Sequence, residues 1–111
     1  MVDKKIFLGK WKIIEMELWD QDFIDAEVPG YISFGENGRG EFQFGYVHGY
    51  MDCYYLEKNE CNAVEFSWEG NDEMDSAFGR GSATVVEGKL LGHLFFHDGD
   101  DSEFEAVLEP S

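Results

Sequence analysis

Apolar residues recur at every second position along most of the chain, and turn-forming residues interrupt that alternation at short intervals. The clearest runs are EFQFGYV (41–47), with Phe42, Phe44 and Tyr46 on one face, and AVEFSWE (63–69), with Val64, Phe66 and Trp68 opposed to Glu65, Ser67 and Glu69. A period of two marks a strand with one buried face, because successive side chains point to opposite sides of a sheet. ENGR (36–39), KNE (58–60), EGK (87–89) and DGDD (98–101) separate the runs. Asn-Gly and Asp-Gly supply the positive φ of tight hairpin turns, so consecutive strands are expected to pair antiparallel. The pattern predicts about eight strands, near 8–18, 30–35, 40–48, 50–57, 62–69, 79–87, 89–97 and 103–109. WDQDFIDAEVP (19–29) breaks the rhythm: Trp19, Phe23 and Ile24 fall at helical spacing and Pro29 ends the segment. One short helix or lid is therefore expected near 19–27, and 70–78 reads as the other long connection.

A meander of this kind leaves two unpaired edges unless the sheet closes on itself. The expected architecture is all-β, an antiparallel up-and-down barrel forming a single domain over 1–111; a two-sheet sandwich would need more long crossovers. Eight strands enclose a space that side chains fill or that holds one small ligand. Two strands are irregular. In the first, Trp11 and Ile13 share a face while Ile14, Met16 and Leu18 continue on the other, so a bulge near Ile13 and Ile14 is needed to keep Glu15 and Glu17 out of the interior. In KLLGHLFFH, either Leu90, Gly92, Leu94 and Phe96 face inward, or Leu91, His93, Phe95 and His97 do.

Composition changes the picture mainly through charge. The 111 residues include 24 acidic and 8 basic side chains, a net charge of -16, and Lys4, Lys5, Lys10 and Lys12 are half of the basic ones. Such a chain repels phosphate backbones and anionic lipid, so nucleic acid and membrane are not expected partners; a small apolar or cationic ligand, a basic protein, or a second copy of the chain is. MVDKKIFLGKWK lacks an apolar signal core, and a cytoplasmic setting is the expectation. Cys53 and Cys61 are then expected as free thiols.

The first strand opens LGKW. Gly9-x-Trp11 at the start of strand one, followed by a short irregular segment and a meander, resembles the lipocalin and calycin barrels and is similar in layout to small bacterial proteins of that kind with no assigned function. The resemblance implies that Trp11 plugs one end and that a cup binds small, mostly apolar molecules. The family's late Arg packed on that Trp has no counterpart here, since no Arg follows Arg80.

Chemistry-bearing motifs are sparse. Asn71, Glu73 and Asp75 alternate like calcium ligands, but the sixth and twelfth positions counted from Asn71 are Ser76 and Ser82, so the loop pattern fails. His93 and His97 would lie about 13 Å apart on one strand face, too far to share a metal. No metal site, catalytic residue or cofactor is expected. Ser67, Ser76 and Ser82 lack a nucleophile-elbow context, and an enzyme built on His93 and Glu15 would need both in one cleft. Arg80, between Gly79 and Gly81, is read either as an ion pair with Glu65, Glu69 or Asp72, the favoured reading, or as a ligand-orienting cation. The reading that results is a non-enzymatic small-molecule binder using Glu15, Phe44, Phe66, Trp68, Glu69, Arg80 and His93, with Phe42 and Val64 in the wall; the alternative is an acidic interaction or inhibitor module for a basic partner.

Overall fold

The computed structural model describes residues 3–109. A 3-10 turn (Lys4–Ile6) leads into β1 (Gly9–Met16), α1 (Gln21–Ile24), β2 (Tyr31–Phe34), β3 (Arg39–Phe44), β4 (Val47–Lys58), β5 (Cys61–Asp72), β6 (Asp75–Val86), β7 (Lys89–Phe96) and β8 (Asp101–Leu108). All neighbours pair antiparallel, and β1 also pairs with β8, so the sheet is a closed barrel with no free edge. Among the described residues no helix is long and apolar enough to cross a membrane.

The alternation settles which side chains enter. The register shifts between Ile13 and Glu15, so Ile13 and Met16 both turn inward while Glu15 is carried outside, opposite Glu105. On β7 the inward set is Leu90, Gly92, Leu94 and Phe96, which places His93 outside. Two expected boundaries move. β3 ends at Phe44 rather than running on through Val47, because Gly45 turns with φ +57 and the ring of Phe23 occupies the place of a side chain there. Tyr46 is consequently exposed and Val47 buried. The expected loop 70–78 is instead a two-residue turn at Glu73 and Met74, with β5 and β6 paired right up to it. Glu73 takes φ +56 without being glycine, and its carbonyl accepts the Asn71 side-chain amide at 2.8 Å. The inward residues beside this turn are Gly70, Ala77 and Gly79, which carry no large apolar signal and so hid the strand.

Glycines also explain how the interior closes. Side-chain-free positions on one strand receive rings from the next: Phe42 covers Gly49, Phe66 covers Gly81 and Phe104 covers Gly92. The indole of Trp68 lies beside Gly79 and donates to the Phe95 carbonyl at 3.1 Å. What is left inside, between Ile13, Met16, Ile32, Phe42, Phe44, Leu94 and Phe104, is about 10 Å³. One water-sized probe needs roughly that much, so the interior is a packed core.

The two ends are closed differently. At one, Trp11 is 2% exposed and its indole N–H donates to the Phe7 carbonyl at 2.9 Å. Phe7 is fully buried against the rings of Phe34 and Tyr55. At the other, α1 lies across the mouth. Asp20 caps it by accepting from Phe23 N at 3.0 Å, and Ile24 is fully buried. The segment leaving α1 is held by Asp25, whose carboxylate accepts from Gly30 N at 2.8 Å.

Candidate functional site at the barrel mouth

The seven residues singled out in the sequence do not converge. Phe44, Phe66 and Trp68 lie inside, as expected of wall residues, but they are core: each is buried and the space between them is filled. Glu15, Glu69, Arg80 and His93 lie on the outer wall, where the inward-outward alternation and the bulge of β1 put them. His93 is held by Asp101, Nε2 to Oδ1 at 2.8 Å, and stacks on Phe95. It does not share a cleft with Glu15, whose neighbour across the ladder is Glu105. Arg80 stands opposite Ser67 and Phe95, with no carboxylate directly across from it, and makes no hydrogen bond or ion pair among the described residues. The favoured ion pair with Glu65, Glu69 or Asp72 is therefore not formed. Cys53 faces Phe66 and Cys61 faces Lys58, which separates them by about 17 Å along the strands, beyond the reach of a disulfide. Burial pushes the Cys53 thiol up to about 11, so it is a poor nucleophile.

A cleft suited to a ligand lies instead at the mouth, beside α1. It measures about 360 Å³. Four segments build it: Trp19 and Phe23 from the lid, Val47 from the start of β4, Asp72, Ser76 and Phe78 from the β5–β6 hairpin, and Phe96, His97 and Asp100 from the β7–β8 turn. Its wall is aromatic because the lid packs on the top of the core, with Trp19 5.0 Å from Phe44 and 6.1 Å from Phe96, ring centre to ring centre. Its rim is polar because it is made of turns, which carry the acidic residues. His97 stacks on Phe78 at 4.6 Å and its Nε2 lies 3.3 Å from Asp98.

The three indoles differ in one decisive respect. Those of Trp11 and Trp68 donate to main-chain carbonyls, whereas Trp19 has no hydrogen-bond partner among the described residues. Trp19 is half-buried and lines the cleft, so its N–H is a donor that a ligand can use. Apolar walls with a few placed polar groups are the usual composition of a small-molecule site, and the volume falls within the usual range. No triad, activated nucleophile or three-residue metal set accompanies it among the described residues. The sequence signalled only the lid part. Asp72 and Asp100 were lost among many carboxylates, and DGDD reads as nothing more than a turn.

Comparison with known proteins adds the fold class. No family model matches the chain, and no curated protein matches it. Among solved structures, apo lipid binding protein 8 from Caenorhabditis elegans superposes over 98% of this chain and 99% of its own, with a TM-score of 0.52 and 14% sequence identity. At that identity the likeness speaks for architecture alone: the chain shares the overall fold of that protein, here a closed eight-stranded antiparallel barrel with Trp11 plugging one end and α1 crossing the other.

Proposed function

We propose that the protein is a non-catalytic binding barrel that takes a small ligand at its mouth, between the lid and the β5–β6 and β7–β8 turns. The ligand class that fits is a ring-sized apolar body carrying a cationic group. The observation that carries this reading is the Trp19 cleft: an aromatic recess of about 360 Å³ rimmed by Asp72 and Asp100, in a barrel whose interior offers about 10 Å³. The solved neighbour is a lipid-binding protein, which supports small-molecule binding as the general role of such a barrel. The packed interior favours a shallow, mouth-bound ligand over a long chain threaded through the core. Asp72 and Asp100 on the rim, on a chain of net charge -16, favour a cation.

Amide-resolved NMR titration tests this with tryptamine and with its anionic counterpart indole-3-propionate. The amine is expected to shift Trp19, Phe96, His97 and Asp100 selectively, the acid to bind more weakly, and Trp19→Ala to remove both responses. Shifts scattered over the outer wall, or a stronger response to the acid, would sink the proposal.

A further inference from the structure

The outer wall over β4, β5 and β6 is unlike the rest of the surface. Its outward residues form cross-strand rows: Tyr50, Glu69 and Phe78; then Arg39, Asp52, Ser67, Arg80 and Phe95; then Tyr54, Glu65, Ser82 and His93. Tyr50, Tyr54, Phe78 and Phe95 are all exposed by 40% or more. Between them lie two shallow clefts of about 580 and 640 Å³ that meet at Asp52 and Ser67. Each holds one arginine, one glutamate and two exposed rings: Arg80, Glu65, Tyr54 and Phe95 in the first, Arg39, Glu69, Tyr50 and Phe78 in the second. Both arginines of the chain are on this wall. With Asp52 added, two guanidinium groups face three carboxylates, one net negative charge where the whole chain carries -16.

Charge decides the occupant. An anionic ligand for Arg80 would meet Glu65 and Asp52 in the same cleft, and a basic partner drawn by those carboxylates would meet Arg39 and Arg80. A surface carrying both signs, ridges of rings and hollows floored by serines is complementary to itself. A two-fold axis lets each feature of one copy meet its opposite on the other. We propose that this wall is the interface of a two-fold symmetric homodimer in which Arg80 of each copy pairs with Glu65 and Glu69 of the other. That pairing supplies the partner that Arg80 lacks within its own chain.

The named rows span five residues on each of β4, β5 and β6 and three on β7. At ~3.4 Å per residue and ~4.8 Å between strands that is about 300 Å² per copy, the footprint of a small, concentration-dependent interface. Exposed rings flanking an arginine are also the usual composition of an interface centre. The mouth cleft opens at the barrel end and shares Phe78 with the edge of this wall.

Sedimentation velocity of the full chain over a concentration series tests the proposal. The wild type is expected to move from monomer to dimer. Arg80→Glu, at an exposed position without a partner in its own chain, is expected to raise the dissociation constant about thirtyfold or more, the scale of a hot-spot residue, with an unchanged far-ultraviolet circular dichroism spectrum. The pair Glu65→Lys with Glu69→Lys is expected to do the same. Mixing the two variants brings opposite charges together at both Arg80 contacts and is expected to restore a heterodimer. A wild type that stays monomeric, an Arg80→Glu protein that dimerises as well as the wild type, or a mixture that does not associate would each overturn the assignment.

Discussion

Trp11 and Trp19 close opposite ends of one barrel, yet only one of them is finished structurally. Trp11 is fully surrounded, its N–H satisfied by Phe7 and its ring shielded from solvent. Trp19 packs against Phe23, Phe44 and Phe96 yet stays half-buried, lines a cleft, and has no partner for its N–H among the described residues. The difference arises from what each end is made of. At the Trp11 end, the strand ends and the 3-10 turn converge on one closed cluster, with Trp11 bonded to Phe7 and the rings of Phe34 and Tyr55 packed on Phe7. At the Trp19 end a four-residue helix spans a mouth that it is too short to fill, and turns complete the rim. Equal residues therefore do unequal work: one stabilises the fold, the other is available for recognition.

Removing each indole in turn gives the largest expected effect. Trp11→Ala deletes a buried aromatic and leaves the Phe7 carbonyl without its donor, at a cost of about 3–5 kcal/mol. Domains of this size have roughly 5–15 kcal/mol in total, so the variant should be barely folded at 37 °C. Trp19→Ala should cost no more than about 2 kcal/mol, since only part of the ring is buried, while abolishing tryptamine binding. Urea denaturation and the NMR titration separate the two. Equal destabilisation at both ends would erase the contrast.

Between the ends, the packed interior depends on glycines that have no room to grow. A methyl group at Gly79 would run into the Phe95 carbonyl and crowd the Trp68 indole. Because the obstacle is backbone, the strand must shift, and Gly79→Ala is expected to destabilise by about 1–3 kcal/mol, with loss of the near-ultraviolet dichroism of Trp68. A Gly79→Ala protein of undiminished stability would mean that the wall yields, and that the mouth cleft can deepen into the barrel.

Tyr55 offers a gain rather than a loss. At the Trp11 end its hydroxyl is buried without a hydrogen-bond partner among the described residues, and burial pushes its pKa up to about 12. Tyr55→Phe removes an unsatisfied polar group while keeping the ring that packs on Phe7, and should stabilise by about 1 kcal/mol. Thermal unfolding measures it. A loss of similar size would reveal a partner for the hydroxyl and a polar function at the end assigned to packing.

The strand count, the closed barrel, the lid and the bulge of β1 were all legible because each rests on local pattern: alternation, turn residues, or a sheet edge that must be hidden. Side-chain destinations were legible only where alternation was unbroken. Phe44, Phe66 and Trp68 were correctly placed indoors, but nothing in the chain showed that glycines on adjacent strands would let those rings fill the space meant for a ligand. Glu69 and Arg80 were drawn toward a barrel rim because Gly70, Ala77 and Gly79 mimic a loop, when they are the inward positions of two long strands. Arg80 lacks a partner for a reason no one-dimensional pattern contains: the register sets it across from Ser67 and Phe95. The mouth cleft joins residues from 19 to 100, and only closure of the sheet brings them together.

The smallest effect concerns how firmly the lid is held. Asp25 accepts from Gly30 N at 2.8 Å and from the Gln21 side chain at 3.0 Å, with Lys12 3.8 Å away. Chiefly through the Gly30 hydrogen bond, these contacts hold its carboxyl below the ordinary 3.8. A carboxylate with a depressed folded-state pKa contributes its full stabilisation above the unfolded value, and loses it as pH falls through the lower folded one. The lid should therefore stay closed down to about pH 4 and loosen below it, which Trp19 fluorescence would report as a red shift ahead of global unfolding. Asp25→Asn keeps an acceptor for Gly30 but removes the charge, so that early transition should vanish while the acid unfolding of the barrel persists. If Trp19 and the barrel instead respond together at every pH, the lid is an integral part of the core, and the two ends of the molecule are more alike than their tryptophans suggest.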